Sequence, residues 1–217
     1  MSNLFEGVIN FNKNEYEKYS ELFKKIAEEQ NPHTLFIGCS DSRVVPSLIT
    51  KTLPGELFVV RNIANLVPPY RNINEFLATT SAIEYAVNIL NVKNIVVCGH
   101  SNCGGCRALY MEDEDLKNIP HTKKWLELAE NAKLTVSGLN IAEGSDIEFV
   151  HKQRELLTER ENIKEQIKHL HSYPYIQSKL KYGEINIYGW HYIIETGEVY
   201  NYSFEKNIYE KINDATA

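Results

Sequence analysis

At 217 residues, with 43% hydrophobic and 24% charged side chains, the chain is long enough for one α/β domain with a sizeable core and has an ordinary globular composition. Its net charge of −6 argues against nucleic acid or an anionic membrane as a partner, so any anion site has to be built locally. Met1–Gly7 has no basic flank, and no stretch is apolar enough to span a bilayer. A cytoplasmic protein is expected, whose four cysteines stay reduced and act as metal ligands, core residues or catalysts.

Tyr16, Tyr19, Leu22, Phe23 and Ile26 recur at helical spacing, which predicts a helix over 13–30 stopped by Pro32. Residues 1–32 therefore read as an N-terminal helical arm. Thr34–Gly38 is a short apolar strand ending at Cys39, and Leu57–Val60 lies in a second strand over 56–61. Past Pro68-Pro69, helical periodicity runs over 74–90 in Phe76, Leu77, Ile83, Tyr85, Ala86 and Leu90. Asn94–Cys98 is a third strand, just before Gly99-His100. Residues 122–180 read as mostly helical, with charged runs as solvated faces. In 183–202, Ile185, Ile187, Tyr188, Trp190, Tyr192 and Ile194 surround a Thr196-Gly197 turn, a closing antiparallel hairpin. Continuous apolar strands alternating with helices predict an α/β fold with a mostly parallel central sheet covered on both faces. No repeat or linker divides 1–217, so one domain is expected.

In such sheets ligands bind beyond the carboxyl ends of the strands, and two chemistry-bearing stretches begin there. One is Cys39-Ser40-Asp41-Ser42-Arg43; the other is His100-Ser101-Asn102-Cys103-Gly104-Gly105. Two thiolates and an imidazole form a Cys₂His zinc set that leaves one position open. Such a zinc lowers the pKa of its water towards about 7, giving a hydroxide nucleophile. Asp41 can orient that hydroxide, and Arg43 can hold Asp41 ionised through a bidentate pair. A small electrophile such as CO₂ suits the arrangement. Gly104-Gly105 would bring backbone N–H groups close to substrate at a helix start.

Plainer readings stand beside each of these. Cys39 can be a packed thiol, Asp41 a loop cap with Arg43 as its partner, and Gly104-Gly105 a turn. Cys98, His100, Cys103 and Cys106 alone could form a structural zinc knuckle. His169 and His171 end a helix as surface residues; His121, His151 and His191 are solvated or structural. His33 stays open as a proton acceptor near the site.

At these residues the sequence resembles the β-class carbonic anhydrases. The motifs are Cys39–Arg43, Val59-Val60-Arg61-Asn62-Ile63-Ala64-Asn65 and Gly99–Gly105, and the likeness runs from about Glu21 through Tyr192. The resemblance implies a Rossmann-like sheet, one zinc per subunit on Cys39, His100 and Cys103, and an Asp41–Arg43 dyad. It also implies reversible hydration of CO₂ to bicarbonate and a proton, in homodimers that often pair into tetramers. A plant-like subgroup further implies a substrate pocket of Gln30, Phe58, Ile63 and Tyr85, with Gln30 and Tyr85 supplied by the subunit opposite the zinc; core packing is the plainer role for these four. Another subgroup binds regulatory bicarbonate with a Trp, an Arg and a Tyr, matched here by Phe36, Arg61 and Tyr192. Phe36 lacks the indole N–H, so an open, unregulated site is expected. Carbonyl sulfide or carbon disulfide hydrolysis is the alternative enzymatic reading, and a zinc-stabilised binding protein the non-enzymatic one.

Overall fold

The computed structural model describes residues 3–72, 75, 77–141 and 146–215. One sheet runs in the order β2-β1-β3-β4-β5-β6, with β1 Thr34–Cys39, β2 Leu57–Asn62, β3 Asn94–His100, β4 Asn186–Tyr192, β5 Val199–Ser203 and β6 Ile208–Lys211. Strands β1 to β4 are mutually parallel; β4–β5 and β5–β6 are antiparallel. The expected mostly parallel sheet and closing hairpin are both present, and Gly197 takes the left-handed conformation in the turn. Strand β6 extends the hairpin by one strand.

The strand order decides where a ligand can sit. From β1 the chain passes to β2 on one side and then crosses to β3 on the other. The carboxyl ends of β1 and β3 therefore flank the switch point of the sheet, where the connecting loops diverge and leave a crevice. Register pairs Gly38 with Cys98, so Cys39 at the end of β1 and His100 at the end of β3 leave the sheet side by side.

Alternate strand residues point to opposite faces. On one face Leu35, Ile37, Ile95 and Val97 pack with Ile83 of α1 (Ala78–Glu84) and with Ile163, Ile167 and Leu170 of a long helix, labelled α3 below. The other face carries a smaller cluster, Phe36, Val96 and Cys98, with Leu57, Trp190 and Tyr192 partly buried against it. Tyr188 and Val59 at its margins stay 36% and 44% exposed, so the two faces are covered unequally within one chain. The arm is helical from Leu4 to Ile26, starting earlier and ending sooner than 13–30, and none of its helical segments has a buried residue. Helix α1 starts at Ala78 and runs on as a π-helical turn, Tyr85–Ile89. Asn74 and Phe76 of the expected 74–90 helix lie outside the described residues.

Helix α2 (Gly104–Ala108) follows the second ligand stretch. Helix α3 (Ile147–His171) crosses the sheet, and α4 (Pro174–Lys181) follows it. Two glycines set how closely α3 approaches. A Cβ on Gly99 would lie 2.9 Å from Ile163, and one on Gly189 would lie 2.8 Å from Ile167 and 2.9 Å from Ile163. Gly99→Ala should therefore overpack this layer and lower stability by about 1–3 kcal/mol. In chemical denaturation, Ile163→Val should recover part of that loss, since it removes one of the two contacting carbons. Additive losses in the double variant would show that the contact does not exist.

Candidate metal centre

Among the described residues, Cys39, His100 and Cys103 form the group that could hold a metal ion, their ligand atoms all within 4.8 Å of one another. Tetrahedral zinc with bonds of about 2.0–2.3 Å sets its ligand atoms roughly 3–4 Å apart, so the donor set fits. The imidazole is oriented for the task. His100 Nδ1 lies 2.9 Å from the Ser101 carbonyl, to which it donates, leaving Nε2 unprotonated. That Nε2 is buried and has no hydrogen-bond partner. A buried acceptor without a donor is costly, and a cation is the partner its position admits.

The thiols describe the same cradle. Cys39 is pushed up to about 12, first by the Cys103 thiol beside it and then by burial. The Cys106 thiol and burial likewise push Cys103 well above the usual thiol range. A divalent cation would reverse this, since it stabilises both thiolates. Burial pulls His100 down, but its contact with Cys39 outweighs that, and the net direction is up.

Asp41 and Arg43 form the expected bidentate pair, Nε–Oδ1 2.9 Å and Nη2–Oδ2 2.7 Å, with the Arg43 backbone N–H also donating to Oδ1 at 3.0 Å. The guanidinium holds the Asp41 carboxyl well below the usual carboxylate range. Asp41 Oδ2 lies 3.9 Å from His100 Nε2, beside the ligand cluster but outside hydrogen-bond reach. Arg43 Nη2 also donates to the Asn102 carbonyl at 3.2 Å, tying the first stretch to the second. Asn102 takes the left-handed conformation, which asparagine tolerates. Ser101 fastens this loop to the end of β4, its N–H donating to Tyr192 O and its hydroxyl accepting from Ile194 N.

Several residues support the centre in ways that the motifs do not disclose. Arg61, at the end of β2, donates to the Cys39 carbonyl at 3.0 Å and the Asp41 carbonyl at 2.7 Å. Its guanidinium thus holds the backbone of the first ligand stretch. Phe36 is fully buried edge-on against Trp190. Glu159 and His191 are 2% and 0% exposed. Glu159 Oε1 accepts the Cys103 backbone N–H at 3.0 Å, and Oε2 lies 3.0 Å from His191 Nε2. Glu159 belongs to a charged run whose spacing, Glu159, Asn162, Ile163, Gln166, Ile167 and Leu170, places it on the buried face of α3. Glu159→Ala would orphan two buried groups and should cost about 3–5 kcal/mol in denaturation and speed metal loss to a chelator. Glu159→Gln keeps an acceptor and a polar partner and should restore most of both. An alanine variant with unchanged metal release would rule out this support.

The remaining candidates divide. Gly105 has a packing reason: a Cβ there would meet Ala64 Cβ at 2.8 Å, whereas one on Gly104 would meet nothing. Ala64 and Asn65 both have positive φ, held by Trp125 Nε1 donating to Ile63 O and Asn162 Nδ2 to Ala64 O. Ile63 is 41% exposed and borders a crevice with Ser40, Asn62 and Trp125, next to Cys39. Phe58 and Tyr85 are neighbours, ring centroids 6.0 Å apart, and Tyr85 shares a groove of about 690 Å³ with Gln30. Phe58 pairs in register with Leu35, four residues before Cys39, so these three are grouped away from the thiols of their own chain. Cys98 belongs to the far-face cluster, and Cys106, on the buried side of α2, packs in the cluster of Ala64 and Leu66; neither joins the ligand group, which removes the four-ligand knuckle. His33 precedes β1, at the end opposite Cys39, and pairs with Thr34 Oγ1 at 2.6 Å, so it is not near the site. His169 is half-buried and contacts the Val67 carbonyl at 2.7 Å, unlike the solvated His171.

A sequence model of the carbonic anhydrase family matches residues 34–199. A carbonic anhydrase of Helicobacter pylori (strain J99) is 43% identical over 212 residues, which is 97% of this chain and 94% of that protein. The solved β-carbonic anhydrase CcaA superposes with a TM-score of 0.87 at 35% identity, covering 96% of this chain and 98% of that one. A solved tetrameric β-carbonic anhydrase from Sordaria macrospora gives 0.75 at 29% identity, covering 92% and 97%. With ligands, fold and relatives in agreement over nearly the whole chain, the protein belongs to the β-class carbonic anhydrase family.

Proposed function

We propose that the chain is a zinc enzyme that interconverts CO₂ and bicarbonate, with Cys39, His100 and Cys103 as the ligands and Asp41 and Arg43 as the dyad that acts on the nucleophile. The observation that carries this is the buried, partnerless His100 Nε2 facing two thiols within 4.8 Å. Zinc held there supplies the Lewis acidity that makes water a nucleophile near neutral pH. Asp41, ionised and therefore acceptor-only, would accept a hydrogen bond from a nucleophilic water at the centre and orient it. Arg43 fixes the carboxylate plane and keeps the second oxygen occupied. Ile63 walls the crevice beside Cys39, and the backbone at Gly104 and Gly105 approaches the substrate side.

Gln30, Phe58 and Tyr85 complete the pocket in the plant-like reading, with Gln30 and Tyr85 from the second subunit of a homodimer or dimer-based tetramer. Their separation from their own chain's thiols supports this. One domain spans the chain, no described helix is long and apolar enough to cross a membrane, and a cytoplasmic setting suits reduced thiol ligands. Stopped-flow CO₂ hydration on protein of measured zinc content tests the proposal. One zinc per chain with hydration in proportion supports it; stoichiometric zinc without hydration refutes it, and carbonyl sulfide turnover by that same protein would substitute the alternative substrate.

A further inference from the structure

The proposed reaction leaves one buried nucleophile beside the metal ligands without a role. Cys103, Gly104, Gly105 and Cys106 form a C-x-x-C sequence. Cys103 is the N-cap of α2 and Cys106 its third residue, the spacing at which a capping side chain lies over the first turn. Both are buried, 2% and 3% exposed, in one cluster, and the residues between them have no side chains to separate the sulfurs. Asn162 Nδ2, 3.8 Å from Cys106 Sγ, donates to that sulfur and holds it in place. Asp41 and Arg43, beside the ligand cluster, are 18% and 47% exposed.

We propose that Cys103 and Cys106 are a dithiol modification site, which a small hydroperoxide oxidises to a disulfide. As its thiol proton leaves, the Cys103 sulfur attacks an oxygen of hydrogen peroxide; the O–O bond breaks, and hydroxide leaves and becomes water by taking that proton. Cys103 is then a sulfenic acid. The Cys106 sulfur attacks it, the S–S bond forms, the S–O bond breaks, and the oxygen departs as water with the Cys106 proton. Two electrons pass from the two sulfurs to the peroxide, giving two waters. The dithiol itself stands on the spacing and contact of the two thiols. Its consequence for the metal rests on the proposed function: a disulfide sulfur is no thiolate ligand, so oxidation and zinc binding exclude each other at Cys103.

The zinc-loaded full chain, treated with hydrogen peroxide, alkylated and mapped by peptide mass spectrometry, tests this. The expected result is a Cys103–Cys106 linkage, zinc appearing in a chromogenic chelator in step with it, and recovery of both thiols and of zinc binding after dithiothreitol. Cys106→Ala should bind zinc before oxidation but lose it irreversibly, because Cys103 without its partner proceeds to sulfinic acid. A Cys39–Cys103 linkage, or zinc loss while Cys106 stays fully alkylatable, would overturn the proposal. The metal-free chain, oxidised and mapped in parallel, separates the two claims. If the protein binds no zinc at all, the metal reading fails, and the linkage in this sample still decides the dithiol. Wild-type mapping stands even if Cys106→Ala does not fold.

Discussion

Cys39→Ala, His100→Ala and Cys103→Ala should each leave the protein with a small fraction of its zinc and with CO₂ hydration near the uncatalysed background, while Cys98→Ala retains both. Among the described residues the candidate centre has three donor atoms within 4.8 Å of one another, so on the proposed assignment losing one leaves two donors and an open side. His100→Ala also removes the only one of the three whose tautomer is set by its own loop. Metal analysis, CO₂ hydration and thermal unfolding read the outcome together. The metal binds the folded arrangement and not the separated strands, so each variant should also unfold at a lower temperature, and added zinc should raise that temperature far less than in the parent protein. Stoichiometric zinc in purified Cys39→Ala would refute the ligand assignment.

Asp41→Asn should keep its zinc and lose activity by about 10²–10³-fold, the scale of one catalytic electrostatic contact, about 2.7–4 kcal/mol. The amide presents a donor on one side where the carboxylate accepts on both, and its pairing with Arg43 loses one charge. Arg43→Ala should act differently. With Oδ2 only 3.9 Å from His100 Nε2, an unrestrained Asp41 needs little rotation to become a fourth ligand and close the site. A structure of Arg43→Ala with Asp41 unmoved, together with near-normal hydration, would dispose of the dyad. The pH behaviour follows from the direction of the Asp41 shift. Its folded-state value is depressed, so the pair's contribution to stability is fully present above the unfolded value and disappears only as pH falls through the folded one. A decline in rate near neutrality therefore cannot come from protonation of Asp41. It should also be smooth: sigmoidal inhibition by bicarbonate would mean that Arg61 and Tyr192 serve a regulatory site despite Phe36.

What the sequence discloses and what it conceals divide along physical lines. Strands β1 and β3 are legible because they are buried along nearly their whole length and so are continuously apolar, and the ligand stretches begin at their ends. The Asp41–Arg43 pair is legible because its partners are two residues apart. Glu159 is not: it touches Cys103 across 56 positions, and a charged residue in a charged helix looks solvated until the helix is docked. Arg61 is hidden differently, since it acts on backbone carbonyls, which have no letter in the sequence. Strand β6 is four residues, exposed at both ends and half-buried between, too short for periodicity to separate from a turn. The arm's early start escapes notice because its apolar residues meet no core of their own chain, so they mark no consistent buried stripe.

The two glycines beneath the long helix have a reach beyond packing. Glu159 reaches Cys103 from a helix whose Ile163 and Ile167 side chains seat directly on Gly99 and Gly189. The absent methyl groups thus act as a gauge block, fixing the thickness of the molecule at the point where that thickness positions a thiolate. A methyl added at Gly99 replaces no candidate ligand, yet it would push the helix outward and strain the contact of Glu159 with the Cys103 amide. On the proposed zinc centre, variation at such positions would surface as metal-dependent failure in cells poor in zinc, and would pass unnoticed where zinc is plentiful.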